Sequence, residues 1–215
     1  MDDVGWVVTG NDVNQDVIVL ERCAAKSIEW ASRRRLQFDT ATPEAALFTC
    51  RRGHERHLQP QLTAKIEVGE GFIRFNREAT HWLGVWMNAH PTLEEHHNRS
   101  MKRAPAAEAR LQTLTKTYGV VPASVRAVKV ACVQVVALYG SELWWDPSEA
   151  GRRDDLQLLL NRQARSILGV LPTMPWGSLM RDSGLTPAPL ILESRQQRFT
   201  ARLANACSNK LMKLH

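Results

Sequence analysis

The feature that most constrains this chain is a change of texture near residue 90. Before it, β-branched and aromatic residues come in short runs, at 4–8, 45–49, 64–68, 72–75 and 80–86, separated by polar or glycine-containing links. Such runs predict strands, and the link Val68-Gly69-Glu70-Gly71 predicts a hairpin turn. One helix interrupts them. From Val13 onward Val17, Leu20, Ala24, Ile28 and Ala31 recur at three- and four-residue steps, with Asn11 or Asp12 available as N-cap and Arg33-Arg34-Arg35 suited to the negative end of the helix dipole. After residue 90 the period becomes helical throughout. Residues 93–118 read as a helix that Pro105 breaks or kinks, and Pro122 suits the first turn of a second helix reaching Tyr139. Residues 154–168 form a third, with Leu156, Leu159, Leu160, Ala164, Ile167 and Leu168 on its apolar face and Gly169 as its stop. Beyond the proline-punctuated link Leu171-Pro172-Thr173-Met174-Pro175, short helices are expected at 178–183 and 189–205. The expected fold is α+β, with a strand-rich part over 1–90, a helical body over 91–170 and a helical extension over 171–215.

With 215 residues, 44% of them hydrophobic and 23% charged, the chain can bury a core without disulfides or metals to staple it. Lysine and arginine outnumber the acids 28 to 22, a formal charge of +6 that favours anionic partners, nucleic acid first and a membrane surface second. Cys23, Cys50, Cys132 and Cys207 are far apart and form no CxxC pair, which speaks against a zinc ribbon or disulfide framework and for a reducing compartment. The opening Met-Asp-Asp-Val-Gly-Trp carries acids where a secretory signal needs basic and then apolar residues. The longest apolar run, residues 130–139, is interrupted by Gln134 and falls short of the roughly 18 residues of a membrane span. An intracellular protein, nuclear or cytoplasmic and without a membrane partner, is expected.

Several groups of residues are chemically suggestive. Asp2 and Asp3 stand immediately before the first expected strand, where two adjacent carboxylates can share Mg²⁺ with phosphate oxygens; on spacing alone an acidic dipeptide is more often a solvated tail. Cys50, His54 and His57 have soft-ligand spacing, but Arg51, Arg52 and Arg56 between them repel a cation. His96-His97, following Glu94-Glu95, reads as an exposed polar helix face. Arg99, Lys102, Arg103, Arg110 and Lys116 on the first long helix, with Arg126 and Lys129 on the second, set against Glu94, Glu95 and Glu108, make a locally positive surface fit for phosphates or for plain solvation. Trp82 and Trp86, four apart in one expected strand, share a face, one for packing and the other for stacking near a nucleic-acid end. Trp144-Trp145 is expected to close the helical bundle.

Strings of residues along nearly the whole chain resemble the C-terminal part of the reverse transcriptases of non-LTR, LINE-like retrotransposons, of the fungal kind. Met1-Asp2-Asp3-Val4-Gly5-Trp6 is similar to the end of that family's aromatic-x-Asp-Asp palm motif, and Leu20-Glu21-Arg22-Cys23 through Ile28-Glu29-Trp30-Ala31 to the helix after it. Phe38-Asp39-Thr40 through Glu44-Ala45-Ala46-Leu47-Phe48 is similar to the next strand segment, and Trp82-Leu83-Gly84-Val85-Trp86-Met87 to the primer-grip strand. Ala137-Leu138-Tyr139-Gly140-Ser141-Glu142-Leu143-Trp144-Trp145, Leu160-Asn161-Arg162-Gln163-Ala164-Arg165, Leu171-Pro172-Thr173 and Ser183-Gly184-Leu185-Thr186-Pro187-Ala188 are similar to strings of its thumb and post-thumb region.

The resemblance implies a partial polymerase palm with primer grip over 1–90, a helical thumb over 91–170 and a C-terminal extension. It implies Asp2 and Asp3 as catalytic Mg²⁺ ligands, Trp82, Leu83, Gly84 and Val85 as primer grip, and RNA template and DNA primer as partners. A third metal-binding aspartate, the fingers and the first strand of the Asp-Asp hairpin lie upstream of the pair in that family and are missing from these residues. A lysine usual in the segment 39–44, which would protonate pyrophosphate, is replaced here by Thr42-Pro43. The expectation is a truncated, inactive fragment of an RNA-directed DNA polymerase that retains at most template-primer binding. The competing expectations are a non-catalytic nucleic-acid-binding helical module, and an open reading frame without biochemical role whose unpaired 4–8 strand promotes aggregation.

Overall fold

The computed structural model describes residues 4–36, 38, 43–48, 64–69, 71–76, 79–89, 92–117 and 119–211. The chain divides into two compact units, residues 1–95 and 96–215, in a mixed helix-and-strand fold of the α+β kind.

In the first unit α1 spans Val13–Arg33. Asp12 caps it, its Oδ1 accepting from the Asn14 backbone N–H at 3.0 Å. The far end closes as a Schellman motif. Arg35 takes the left-handed φ of 56°, the Arg35 N–H donates to Ser32 O and the Leu36 N–H to Ala31 O, so arginine fills the place usually given to glycine. Two antiparallel hairpins follow: β1 (Lys65–Val68) with β2 (Gly71–Arg74), and β3 (Thr80–Trp82) with β4 (Val85–Met87). The first hairpin is the one expected from the Val68–Gly71 link. Its inward residues Ile66 and Ile73, with Val17 and Leu20 of α1 and with Phe75, form the core of this unit.

Three strand expectations are corrected. Residues 4–8 run as irregular chain, with Val7 81% exposed, because among the described residues no strand lies beside them to complete a hydrogen-bonded ladder. The run at 45–48 contributes one parallel bridge, Ala45 to Phe75, anchored by the Asn76 N–H donating to Ala45 O at 2.8 Å, while Thr49 lies outside the described residues. The run at 80–86 is not one strand. Leu83 and Gly84 take φ of 48° and 80°, the signature of a type I′ turn, and fold it into the β3–β4 hairpin.

The second unit is helical. Here α2 (Glu94–Thr117) continues through Pro105 without a break: the ring removes one backbone donor, and the rest of a 24-residue helix absorbs the loss. Next, α3 (Pro122–Lys129), with Pro122 at its first position, passes into a π-helical turn, Val130–Gln134, and the short α4 (Val135–Ala137). The sequence predicts a single regular helix to Tyr139. The π turn instead carries Gln134 into the interior, where its Nε2 donates to Gln163 Oε1 at 3.3 Å, so burying one amide beside another accounts for the irregularity. Then come α5 (Ser141–Trp144), α6 (Ala150–Leu168), α7 (Trp176–Ser183) and α8 (Ala188–Leu211). Leu156, Leu159, Leu160, Ala164 and Ile167 of α6 are buried as their spacing predicts, each leucine worth about 1.5–3 kcal/mol. Gly169 ends α6 at φ 66°, its N–H donating to Arg165 O at 2.8 Å. Val125, Ala164, Ile167, Leu179, Met180 and Leu185 join α3, α6 and α7 in one core. At the start of α8 the Ala188 N–H donates to Gln157 Oε1 at 2.9 Å, and further along Arg195 pairs with Glu142 of α5 at 2.9 Å.

Candidate nucleic-acid interface

In the first unit the residues expected to grip a primer form the tip of the β3–β4 hairpin: Trp82 ends β3, Leu83 and Gly84 are the turn, and Val85 opens β4. Register pairs Trp82 with Val85 and His81 with Trp86, so Trp86 shares a face with His81, its ring 4.6 Å away, while Trp82 points to the other side. The expected shared face of Trp82 and Trp86 is therefore corrected, because the turn reverses the chain between them. Glu44 secures the base of the hairpin by accepting from the His81 backbone N–H at 3.4 Å and from Asn76 Nδ2 at 3.3 Å. No local signal in the sequence marks Glu44 for this task; it acts across 37 residues. Gly5 lies directly against the Trp82 indole, so close that a Cβ there would sit 3.1 Å from Cζ2, tighter than ordinary side-chain contact. The chain just after Asp2-Asp3 thus runs past the hairpin, and a Cβ at position 5 requires the Trp82 ring to give by a few tenths of an ångström.

Asp2 and Asp3 themselves lie outside the described residues, as do Cys50, His54 and His57. Among the described residues no three His, Cys, Asp or Glu side chains converge as a metal site, and Cys23 and Cys132 are free thiols. The groove between α1 and the first hairpin, lined by Glu21, Glu29, Glu67 and Arg33, is net acidic and a poor phosphate site.

In the second unit the basic residues of α2 fall on one side. Arg99, Lys102, Arg103 and Arg110 sit three, four and eleven residues apart, within a single stripe of a 3.6-residue helix, opposite the buried His97, Ala104 and Glu108. Lys102, Arg103 and Arg110 are exposed and Arg99 is half-buried, while the side chain of Lys116 lies outside the described residues. On α3 the Arg126 guanidinium rests against Gly184 at the end of α7.

The surface expectation fails for Lys129 and Glu108. Their side chains are 1% and 7% exposed and form an ion pair at 3.0 Å in the interior, because two charges can enter a helical core only together. It fails equally for His96 and His97, which are buried, His97 at 2% exposure. His96 Nε2 meets the Tyr139 carbonyl at 2.9 Å, and His97 Nε2 meets Asp155 Oδ2 at 3.2 Å with its ring edge-on to Trp144 at 4.6 Å. Burial lowers the His97 pKa; the Asp155 hydrogen bond and charge oppose that, and the Arg152 and His96 charges reinforce it. Trp144 is buried as expected, its Nε1 donating to Tyr139 O at 3.4 Å. These groups brace the bundle and leave Lys102, Arg103 and Arg110 as an exposed basic stripe on α2.

No helix among the described residues is long and apolar enough to cross a membrane. No protein-family model matches the chain, and no solved structure matches it. A Drosophila melanogaster protein described as a probable RNA-directed DNA polymerase from transposon BS is 24% identical over 203 residues, covering 94% of this chain and 22% of that protein. The chain spans about a fifth of the length of that relative and is, over nearly all its own length, similar to a probable transposon RNA-directed DNA polymerase.

Proposed function

We propose that these 215 residues are the later palm, thumb and post-thumb extension of a non-LTR retrotransposon reverse transcriptase of the fungal kind, and that by themselves they bind template-primer without extending it. Residues 1–90 supply partial palm and primer grip, 91–170 the thumb, and 171–215 the extension. The observation that carries the proposal is the contact of Gly5 with Trp82. It brings the chain that leaves the Asp2-Asp3 pair to the hairpin Trp82-Leu83-Gly84-Val85, as a primer end held beside metal-binding carboxylates requires. In the complete polymerase Asp2 and Asp3 would hold Mg²⁺, which would supply charge stabilisation for phosphoryl transfer. Two carboxylates without the third aspartate and the fingers leave the nucleotide unheld, so this stretch alone polymerises nothing. The exposed Lys102, Arg103 and Arg110 of α2, with Arg99 and Lys116, contact backbone phosphates of the RNA template and DNA primer.

The test is fluorescence anisotropy with a labelled RNA–DNA template-primer between 50 and 200 mM salt, beside primer extension with Mg²⁺. Binding without extension is expected, with Arg103→Ala/Arg110→Ala weakening it irrespective of sequence and reducing the log K against log salt slope by about 1.8. Absence of salt-dependent binding overturns the proposal. Binding unaltered by Gly5→Val, which crowds the approach to Trp82, would instead favour a helical nucleic-acid-binding module acting through the α2 stripe alone.

A further inference from the structure

The outward face of the β1–β2 hairpin carries a second, separate arrangement. Register pairs Lys65 with Arg74 and Glu67 with Phe72, while Ile66, Ile73 and Val68 turn toward the core of the first unit. Alternation therefore leaves Phe72 among charged neighbours on the solvated side, 54% exposed. Lys65 Nζ lies 4.6 Å from the ring centroid and Arg74 Cζ 5.4 Å, both in cation–π range. Glu67 is the acid of this face, and its backbone N–H is already held by Glu21 Oε1 at 3.0 Å.

We propose that this face is a stacking site for an unpaired base of single-stranded nucleic acid, with Phe72 as the platform and Lys65 and Arg74 as contacts to the flanking phosphates. The inference rests on the nucleic-acid reading above and adds to it a site apart from the β3–β4 hairpin and from α2. The chemistry selects this ligand. A base has an apolar face for the ring, and its strand carries phosphates within reach of the Lys65 and Arg74 pair beside it. A duplex has its base faces already stacked, so only an unpaired strand can use the platform. An apolar protein partner would need further exposed carbon around Phe72, and this face offers charges instead.

The experiment uses the full chain, a labelled 12-nucleotide single-stranded RNA, the same sequence as single-stranded DNA, and a blunt duplex. Phe72→Ala is expected to weaken single-strand binding about tenfold and duplex binding less than about twofold, with Phe72→Trp retaining affinity. Lys65→Ala/Arg74→Ala should lower the single-strand salt slope by about 1.4. A 5-bromouracil-substituted strand cross-linked to the wild-type protein should mark the tryptic peptide of residues 66–74, a readout that needs no variant to fold. Cross-links confined to other peptides, or Phe72→Ala binding as tightly as wild type, would overturn the site while leaving the nucleic-acid reading intact if Arg103→Ala/Arg110→Ala still weakens binding. Displacement by polyglutamate as effective as by unlabelled strand would reduce the face to a plain anion site and overturn stacking. Failure of the wild-type chain to bind any of the three ligands would refute both.

Discussion

The buried ion pair of the second unit gives the sharpest test of the helical packing. Lys129 is 1% exposed, Glu108 is 7% exposed, and Nζ stands 3.0 Å from Oε1. Lys129→Met keeps the volume and the apolar stem but leaves the Glu108 carboxylate uncompensated in the interior, a change that costs about 3–5 kcal/mol. Glu108→Leu strands the ammonium and should cost a similar amount. The double variant Lys129→Met/Glu108→Leu removes both charges together; because desolvating the pair offsets most of its attraction, its stability should lie within about 1 kcal/mol of wild type or above it. Lys102→Met, on the exposed side of α2, should stay within about 0.5 kcal/mol. The assay is urea unfolding followed by circular dichroism at the helical band, reading the transition of the helical unit for all five proteins. A loss below about 1 kcal/mol for Lys129→Met would show that water reaches Glu108 and that the pair is not interior. A double variant as unstable as either single one would show that the side chains matter for shape and not for charge.

Other outcomes follow from single residues. His97 is held neutral by burial, its pKa below the usual 6.5, so near that pH the unfolded chain binds more protons than the folded one. Stability from this group is complete above pH 6.5 and falls as pH drops toward the lowered folded-state value, with a slope of up to about 1.4 kcal/mol per pH unit; the urea midpoint measured from pH 8 to 5 should show it, and His97→Gln should flatten it. Leu83, held at φ 48° in the hairpin turn, pays a left-handed penalty that asparagine pays less of, so Leu83→Asn should raise the stability of the first unit by about 0.5–1 kcal/mol in chemical unfolding; a decrease would mean that the leucine side chain matters more to the hairpin than its backbone strain.

The helical half was legible because its signals are local. The three- and four-residue spacing of Leu156, Leu159, Leu160, Ala164 and Ile167 and the glycine after Leu168 are short-range facts, and α6 follows them, beginning at Ala150 and ending at Gly169. What stayed hidden depends on partners far away in the chain. His96 and His97 look like surface residues until Tyr139 and Asp155, 43 and 58 residues on, arrive to accept a hydrogen bond, and Lys129 looks like a phosphate contact until Glu108 buries with it. The β3–β4 hairpin was concealed by Leu83, an apolar residue at a turn position that glycine, asparagine or aspartate normally marks, so a turn read as the middle of a strand. The Phe72 face joins both kinds of signal. Period-two alternation puts Lys65 with Glu67 on one strand and Phe72 with Arg74 on the other, each pair outward, but neither strand alone brings two cations to the ring. The register that sets Lys65 opposite Arg74 does so, and a slip by one residue would carry Phe72 into the core and Ile73 out to solvent. Burial of Ile66 and Ile73 beside Val17 therefore fixes where the aromatic stands, and the packing of the core determines which chemistry the surface can offer.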